Sequence, residues 1–314
     1  MGVQVILNPY AGRWSAQRRI PEVREALQAA GIDYQLDITQ GPRHAIDLAQ
    51  QAVCRGCDAV IAAGGDGTIG EVVNGIYRAS IHKDGDSIQI PLGIFALGSA
   101  NDFVVNLGLH KDLKQAAVAI SSRKIRKIDL GRVEYKLPDG GAAFGANLFD
   151  NNSAVGLEPS ITLIQQRIPV IQGTPRYLLA TIIGIIQHPQ WDAHLEWQGG
   201  SYDGPVSLVT VGNNPLTGGL FYMTPHADPA DGQLTFVYGY MSTRLQTLRL
   251  LPRTMKPGAG SYVEHPDIHE VHSPWLRIRM VQPTPLHTDG EIQGRAVKEI
   301  NYQVLPGILP VIIP

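Results

Sequence analysis

From Gly64 to Gly75 the chain reads GGDGTIGEVVNG, and one residue in it does not fit its neighbours. Gly65, Gly67 and Gly70 have the G-x-G-x-x-G spacing of a dinucleotide-binding turn, yet Asp66 stands where a pyrophosphate would lie. The apolar run Ala59–Ala63 reads as a buried strand, and a helix restarts over Glu71–Tyr77. Backbone N–H groups and the helix dipole at such a turn favour phosphate. A dinucleotide fingerprint, however, follows the first strand and has an acid at the tip of the next. Here the turn follows the third strand, and the next one ends at Leu97-Gly98 without an acid, so the dinucleotide match is a coincidence of glycines. A carboxylate among phosphate-cradling amides makes sense when a divalent cation bridges it to phosphate oxygens, and magnesium takes one or two carboxylates plus substrate phosphates. That chemistry is phosphotransfer, and it outweighs a plain turn with Asp66 as helix cap. The chain has no Walker A sequence and no H-R-D or D-F-G, so the site follows neither of those designs.

The elements that must position this turn are legible as an alternation. Val3–Leu7 is a short apolar run ending in Asn8-Pro9. Ser15 to Ala30 opens on a capping serine and stops at Gly31; Tyr34–Ile38 alternates like a strand; Ala45, Ile46, Leu48, Ala49, Ala52 and Val53 recur at helical spacing; Ile90–Leu97 is a further buried strand. Continuous apolar strands alternating with helices predict a parallel sheet covered on both faces, with binding residues at the carboxyl ends of its strands. After about Ile128, Gly, Pro and Asn become dense. Strands at Val206–Gly212, Leu234–Tyr240 and Leu276–Val281 follow one another with little helix except Arg176–Gln187 and Thr243–Met255, which predicts a mainly antiparallel second domain.

Composition sets outer bounds. The 314 residues suffice for two domains, 44% are hydrophobic and 17% charged, and the net charge of -2 gives no bulk electrostatic case for nucleic acid. The start lacks a basic n-region, so no secretory signal is expected. The most apolar run, Tyr177–Ile186, is about half as long as a bilayer span and reads as a buried helix able to line an acyl-chain pocket. Cys54 and Cys57 form a lone C-x-x-C, read as structural thiols in a reducing cytoplasm.

The turn has company. Asn8-Pro9-Tyr10-Ala11-Gly12 follows strand one, and Gly98-Ser99-Ala100-Asn101-Asp102-Phe103 follows strand four. With these, the sequence resembles the lipid kinases with a diacylglycerol-kinase catalytic domain, a family that includes sphingosine and ceramide kinases and bacterial relatives. The pattern N-P-x-[AS]-G is met at Asn8–Gly12, the threonine and His-Ala pair at Thr39 and His44-Ala45, GGDGT with E-V-x-N-G at Gly64–Gly75, G-[TS]-x-N-D-F at Gly98–Phe103, and I-D-x-G at Ile128–Gly131. Further along, Phe149-Asp150-Asn151 with Gly156 and Glu158, the Asn213/Asn214, Gly218-Gly219, Pro225, Ala227 and Asp231–Leu234 series, and Asp289-Gly290-Glu291 continue the match. GGDGT alone is shared with NAD kinases and phosphofructokinases; the downstream set is more specific.

The resemblance implies an α/β fold: a Rossmann-like parallel-sheet ATP domain over residues 1–128 with a return of 300–314, and a β-sandwich lipid domain over 129–299, with chemistry in the cleft between them. It implies ATP contacts from Asn8, Pro9, Gly12, Thr39, Gly64, Gly65, Asp66, Gly67, Thr68, Ser99, Asn101 and Asp102. Magnesium and its waters fall to Asp66 and Asp102, and a structural metal to Asp231. Asp289 becomes the general base, with Glu291 beside it; Asp-Gly is also a favoured hairpin pair, and Gly290 would let the Asp289 carboxylate project from a loop. The partner is a lipid alcohol, diacylglycerol or sphingoid-type, met by peripheral contact at the inner face of the cytoplasmic membrane, with no nucleic acid and with room for a homodimer.

Three departures stand out: Val105 replaces the family's arginine, Gly70 a common asparagine, and Ser99 the usual threonine. Val105 motivates one alternative, a weakly active lipid-binding regulatory member. GGDGT motivates another, an NAD-kinase-like phosphotransferase, disfavoured by the later G-S-A-N-D-F and D-G-E. His265, His269 and His272 lie along a strand-like segment around a proline and are not read as a zinc site. The basic cluster Arg123, Lys124, Arg126 and Lys127 reads as an exposed helix-to-strand junction, with contact to anionic lipid head groups as the weaker alternative.

Overall fold

The computed structural model describes residues 2–81, 87–136, 144–168, 174–187 and 189–314. Its internal contacts divide the chain into two units, one of Met1–Leu130 with Pro306–Pro314 and one of Gly131–Leu305.

In the first unit, strands β1 (Val3–Leu7), β2 (Tyr34–Ile38), β3 (Ala59–Gly64) and β4 (Leu92–Ala96) lie in the order 2-1-3-4, all parallel, and the last residues of the chain add a strand beyond β4 through Val311 against Leu92. Between and after these strands come α1 (Ser15–Arg18), α2 (Ile20–Ala29), α3 (His44–Arg55), α4 (Asp66–Ser80), α5 (Asp102–Asn106) and α6 (Leu113–Ser122). Strands β1, β3 and β4 are buried along their whole length, as a parallel sheet covered on both faces requires. Of the periodic residues of α3, Ala45, Ile46, Ala49, Ala52 and Val53 are buried and Leu48 is half-buried, and Gly56 ends the helix in the left-handed conformation that glycine adopts without strain.

The serine expected to cap the first helix does not do so. Ser15 is the first helical residue, and the cap position belongs to Trp14, held at φ 70 with no side-chain cap bond. Gly12, Arg13 and Trp14 form a left-handed run, so the chain enters the helix through backbone curvature instead of a hydroxyl. Helix α4 also begins earlier than the sequence pattern indicated, at Asp66 itself, because Gly65 takes the extended cap conformation.

The chain passes to the second unit within β5 (Ile125–Lys136). There follow β6 (Phe144–Phe149), β7 (Asn152–Gly156), α7 (Leu157–Gln166), α8 (Thr174–Gln187), β8 (Trp191–Trp197), β9 (Gly200–Val206), β10 (Leu208–Gly212), β11 (Leu216–Thr217), β12 (Phe221–Tyr222), β13 (Leu234–Gly239), α9 (Arg244–Leu250), β14 (Ile268–Ser273), β15 (Trp275–Thr288) and β16 (Glu291–Ile312). The pairings 14-13-10-7-15-16 are antiparallel, as are β8 with β9 and β15. A core of alternate strand residues, among them Phe149, Val209, Phe236, Leu276 and Tyr302, fills this sandwich-like unit. A separate apolar cluster joins α7 and α8 through Leu157, Ile161, Ala180 and Ile185. The helix over 174–187 matches the pattern at 176–187; the segment over 243–255 is instead α9, capped by a Thr243–Gln246 capping box, followed by a 3-10 turn over Leu251–Met255 that opens on Pro252.

Candidate active site

In the first unit, the loops after β1, β3 and β4 are packed onto each other by glycine. A Cβ on Gly98 would stand 2.4 Å from the Cα of Gly65, and one on Gly12 2.6 Å from the carbonyl oxygen of Leu97, so neither position accepts a larger residue without moving backbone. A Cβ on Gly64 would stand 2.4 Å from Oγ1 of Thr68. Asn8 ties the first loop to the second, its Nδ2 donating to Thr68 Oγ1 at 2.9 Å while its Oδ1 accepts the Tyr10 N–H at 3.0 Å. Asn101, left-handed at φ 54, clasps Gly98 from both sides: Oδ1 accepts the Gly98 N–H and Nδ2 donates to the Gly98 carbonyl, each at 3.0 Å. Pro9 and Thr39 are buried at the ends of their strands, and Ser99 is exposed at the rim. Thus Asn8, Pro9, Gly12, Gly64, Gly65, Thr68, Ser99 and Asn101 converge at one edge of the sheet, where the strand ends of a parallel sheet ordinarily hold ligand.

Asp66 opens α4, but its carboxylate reaches sideways. Oδ1 accepts the Phe103 N–H from the first turn of α5 at 3.1 Å, so the acid also anchors the loop that carries Asp102. Burial pushes the Asp66 carboxyl above the usual range, against the N–H groups of that turn, which pull it down. Asp102 itself is buried at the start of α5. Two hard carboxylates beside a cradle lined by glycine backbone fit magnesium, which wants one or two carboxylates and takes its other ligands from phosphate and water. Among the described residues no cluster of three or more His, Cys, Asp or Glu forms a metal site. Asp231 sits exposed at a turn, where Oδ1 accepts the Gln233 N–H at 2.9 Å. The histidines of β14 also find ordinary partners: His269 lies against the Tyr238 ring and His272 against the Thr235 hydroxyl.

In the second unit, β15 and β16 meet at Asp289-Gly290, both left-handed at φ 47 and 82, the backbone of an Asp-Gly hairpin turn. The carboxylate does not project from the loop as the turn pattern suggested. It folds back onto the chain after β6, where Oδ1 accepts the N–H groups of Asn151 at 3.1 Å and Asn152 at 2.9 Å, and Oδ2 accepts that of Asp150 at 3.2 Å. The Asp289 N–H donates back to the Asn152 carbonyl at 2.8 Å, locking turn to loop. Burial pushes the Asp289 carboxyl up to about 6, the three N–H donors and the neighbouring Asp150 side chain opposing that rise. Glu291 stands exposed on the far side of the turn.

Sequence reading missed what lies beneath this turn. His287 Nδ1 accepts the Gly290 N–H at 3.3 Å, and its Nε2 lies 3.3 Å from Glu158 Oε1. Glu158 also accepts from Asn152 Nδ2 at 2.7 Å. Burial works against the Glu158 charge, but the hydrogen bonds and charge of His287 together with Asn152 hold its carboxyl below the usual range. Asp150, 1% exposed, is fixed by its carbonyl, which accepts from the side-chain amides of Asn213 at 3.1 Å and Asn214 at 2.8 Å. The asparagines quoted for the family pattern are therefore the brace of the loop that cups Asp289. In the first unit, two acids play a similar bracing part: Glu71 accepts the Arg43 and Ala45 N–H groups at the start of α3, and Asp129 accepts the Gly307 N–H at 2.6 Å. The Glu71 and Asp129 positions stood inside quoted motifs, as did Ala45, but the patterns gave no sign that these distant segments pair.

The chain thus carries a parallel-sheet unit with glycine loops at its strand ends and an antiparallel unit with a half-buried acid held at a hairpin turn. The family model for the diacylglycerol kinase catalytic domain matches residues 2–133, and that for the YegS C-terminal NAD kinase beta sandwich-like domain matches residues 152–313. The chain belongs to the diacylglycerol-kinase catalytic-domain family of lipid kinases. It is 28% identical over 280 residues to the "Probable lipid kinase YegS-like" of Chromohalobacter salexigens, covering 87% of this chain and 83% of that protein. It is 25% identical over 293 residues to the diacylglycerol kinase of Staphylococcus haemolyticus, covering 93% and 82%. A crystal structure of a diacylglycerol kinase from Bacillus anthracis superposes with a TM-score of 0.72 at 20% identity, over 100% of this chain and 97% of that one, and shows the shared fold. The chain is accordingly a lipid kinase, transferring phosphate from a nucleotide co-substrate to an alcohol acceptor.

Proposed function

We propose that the protein transfers the terminal phosphoryl group of ATP to the hydroxyl of a diacylglycerol-type or sphingoid-type lipid, with Asp289 as general base. The observation that carries this reading is the setting of Asp289. Its carboxylate is held by three N–H donors on a braced loop, and burial raises its proton affinity to about 6. A base of that affinity is ionised at neutral pH and still takes a proton from an alcohol as the oxygen attacks. Oδ2 accepts one N–H of that loop, that of Asp150, whereas Oδ1 accepts two.

The glycine loops of the first unit hold the nucleotide in this reading, with Asn8, Gly12, Thr39, the 64–68 turn and Ser99 as contacts. Asp66 and Asp102 hold magnesium, which neutralises phosphate charge when bound. The second unit offers the lipid an apolar cavity of about 710 Å³, its open mouth included, lined by Leu157, Ile161, Tyr177, Ile185, Phe221 and Leu250 among others. Such a lining suits acyl or alkyl chain. The acceptor being a membrane lipid, the protein works peripherally at the inner leaflet; no helix among the described residues is long and apolar enough to cross a membrane. Incubating the purified protein with labelled ATP, magnesium and diacylglycerol, sphingosine, ceramide and NAD in parallel tests the reading. Label is expected in diacylglycerol or the sphingoid base; label in NAD alone would overturn it.

A further inference from the structure

Among the described side chains, Tyr10 and Trp14 are the only exposed aromatic ones, at 42% and 59%; every other aromatic ring is buried or half-buried. Both belong to the loop after β1, and they touch edge to face with ring centroids 4.4 Å apart at 81°. Trp14 is held at φ 70, in the left-handed region where a bulky residue is rare and strained and glycine is at ease. Its exposure means that burial in the core does not explain an indole here either. Strain of this kind persists where the surroundings enforce it, and it gathers at ligand sites. The surroundings do enforce it. The Trp14 N–H donates to the Tyr10 carbonyl at 3.2 Å, the Ser15 N–H to the Gly12 carbonyl at 3.3 Å and the Ala16 N–H to the Ala11 carbonyl at 3.2 Å.

The pair is anchored to the glycine cradle. Asn8 Oδ1 accepts the Tyr10 N–H while Asn8 Nδ2 donates to Thr68 Oγ1, so one asparagine ties the aromatic loop to the 64–68 turn. Gly12, between the two rings in sequence, packs against the loop after β4, where a Cβ would stand 2.6 Å from the Leu97 carbonyl oxygen. A ligand whose phosphates enter the cradle carries its remaining groups to the rim, and two aromatic rings turned to solvent stand on one of the loops that form that rim. Aromatic rings in an edge-to-face pair still have a face open to offset stacking on a third. Proteins hold nucleobases in this way, by the flat face that every base has.

We propose that Trp14 and Tyr10 are the base clamp of the nucleotide site: the indole stacks on the base of the nucleoside triphosphate whose phosphates lie in the cradle, and Tyr10 supports the indole edge-on. The proposal rests on the reading of the first unit as nucleotide-binding, and it assigns the part of the ligand that the glycines do not hold. The left-handed backbone at Trp14 is then the means by which the indole is kept in solvent, ready for the base, instead of folding into the core.

The test is binding of ATP and of inorganic tripolyphosphate, each with magnesium and without lipid, to the full-length chain, followed by calorimetry and by tryptophan emission. The other tryptophans, Trp191, Trp197 and Trp275, all lie in the second unit, so ATP should quench the emission of the parent and leave that of Trp14→Phe unchanged. Trp14→Ala should weaken ATP binding by about tenfold and hold tripolyphosphate as the parent does, since only the stack is lost. Trp14→Phe keeps a ring and should bind ATP within about threefold of the parent. Trp14→Gly separates binding from stability: it should lose ATP affinity as alanine does and yet unfold no earlier on heating, because glycine takes φ 70 without strain. A Trp14→Ala variant that binds ATP like the parent, or one in which tripolyphosphate weakens in step with ATP, would overturn the clamp while nucleotide binding stands. A Trp14→Gly variant that unfolds well below the parent would make Trp14 a structural residue instead. A parent chain that binds neither ligand would overturn the nucleotide reading itself, and the clamp with it.

Discussion

The two units prepare their parts of the chemistry by opposite physical means. The first uses absence of side chain: Gly12, Gly65 and Gly98 let three loops approach within backbone contact, and the polar side chains Asn8 and Asn101 merely clasp what the glycines permit. The second uses buried side chains: Asp150, Asn152, Glu158, Asn213, Asn214 and His287 brace one turn, where burial raises the proton affinity of one acid against the pull of the loop's N–H donors. A cradle for a charged ligand needs many N–H groups with nothing in the way. A base needs one group whose surroundings set its protonation.

The comparison breaks most sharply at Asp66, the one acid inside the glycine cradle. Asp66→Asn should lower phosphoryl transfer by about a thousandfold, the scale of losing a positioned charge at the transferred group, with the circular dichroism spectrum unchanged. Undiminished turnover would remove Asp66 from the site. Gly98→Ala tests the cradle itself: a methyl 2.4 Å from the Gly65 Cα forces backbone apart. It should weaken nucleotide binding by about tenfold or more and cost about 1–3 kcal/mol in stability, readable by calorimetry and by urea unfolding. Intact affinity would show that the loops have slack.

The pH dependence sharpens the second half. The Asp289 carboxyl, ordinarily near 3.8, is raised to about 6 in the fold, so turnover should rise with pH and reach half its plateau near 6. Folding takes up a proton between those values, so this group's contribution to stability is present at low pH and is lost as pH climbs from about 4 to about 6. Asp289→Asn should flatten that part of the stability profile; an unchanged profile would mean that the acid is not raised. The smallest effect is expected at Glu71, which caps α3 from α4 through two N–H groups. Glu71→Ala should cost about 1 kcal/mol in thermal unfolding and leave turnover nearly intact.

The sequence pattern disclosed the first unit better than the second, for the same physical reason. Glycine spacing and apolar strands are local, so the 64–68 turn, its place after the third strand and the covered parallel sheet could be read directly. Asp289 and its turn could be read too, since Asp-Gly favours a hairpin. The direction of its carboxylate could not, because the donors at 150–152 lie more than a hundred residues away and act through backbone N–H groups that any residue supplies. Glu71 was hidden likewise: a helix cap is sought in the residue before the helix, and this one comes from the next helix. Ser15 shows the reverse error, a residue type suited to capping at a position where left-handed backbone at Trp14 had already turned the chain. Val105, 41% exposed on α5, leaves the effect of the missing family arginine to be read from kinetics.

Whether Asp289 acts as base while the first unit binds nucleotide is tested most directly by one paired measurement. Asp289→Asn and the parent protein would be compared for ATP binding by calorimetry and for single-turnover phosphorylation of the accepted lipid. With Asp289 as base, the variant keeps ATP affinity within error of the parent and transfers phosphate more slowly by about two to four powers of ten. A variant that transfers at the parental rate, or one that loses ATP binding instead, would contradict it and would move the search for the base to Glu291.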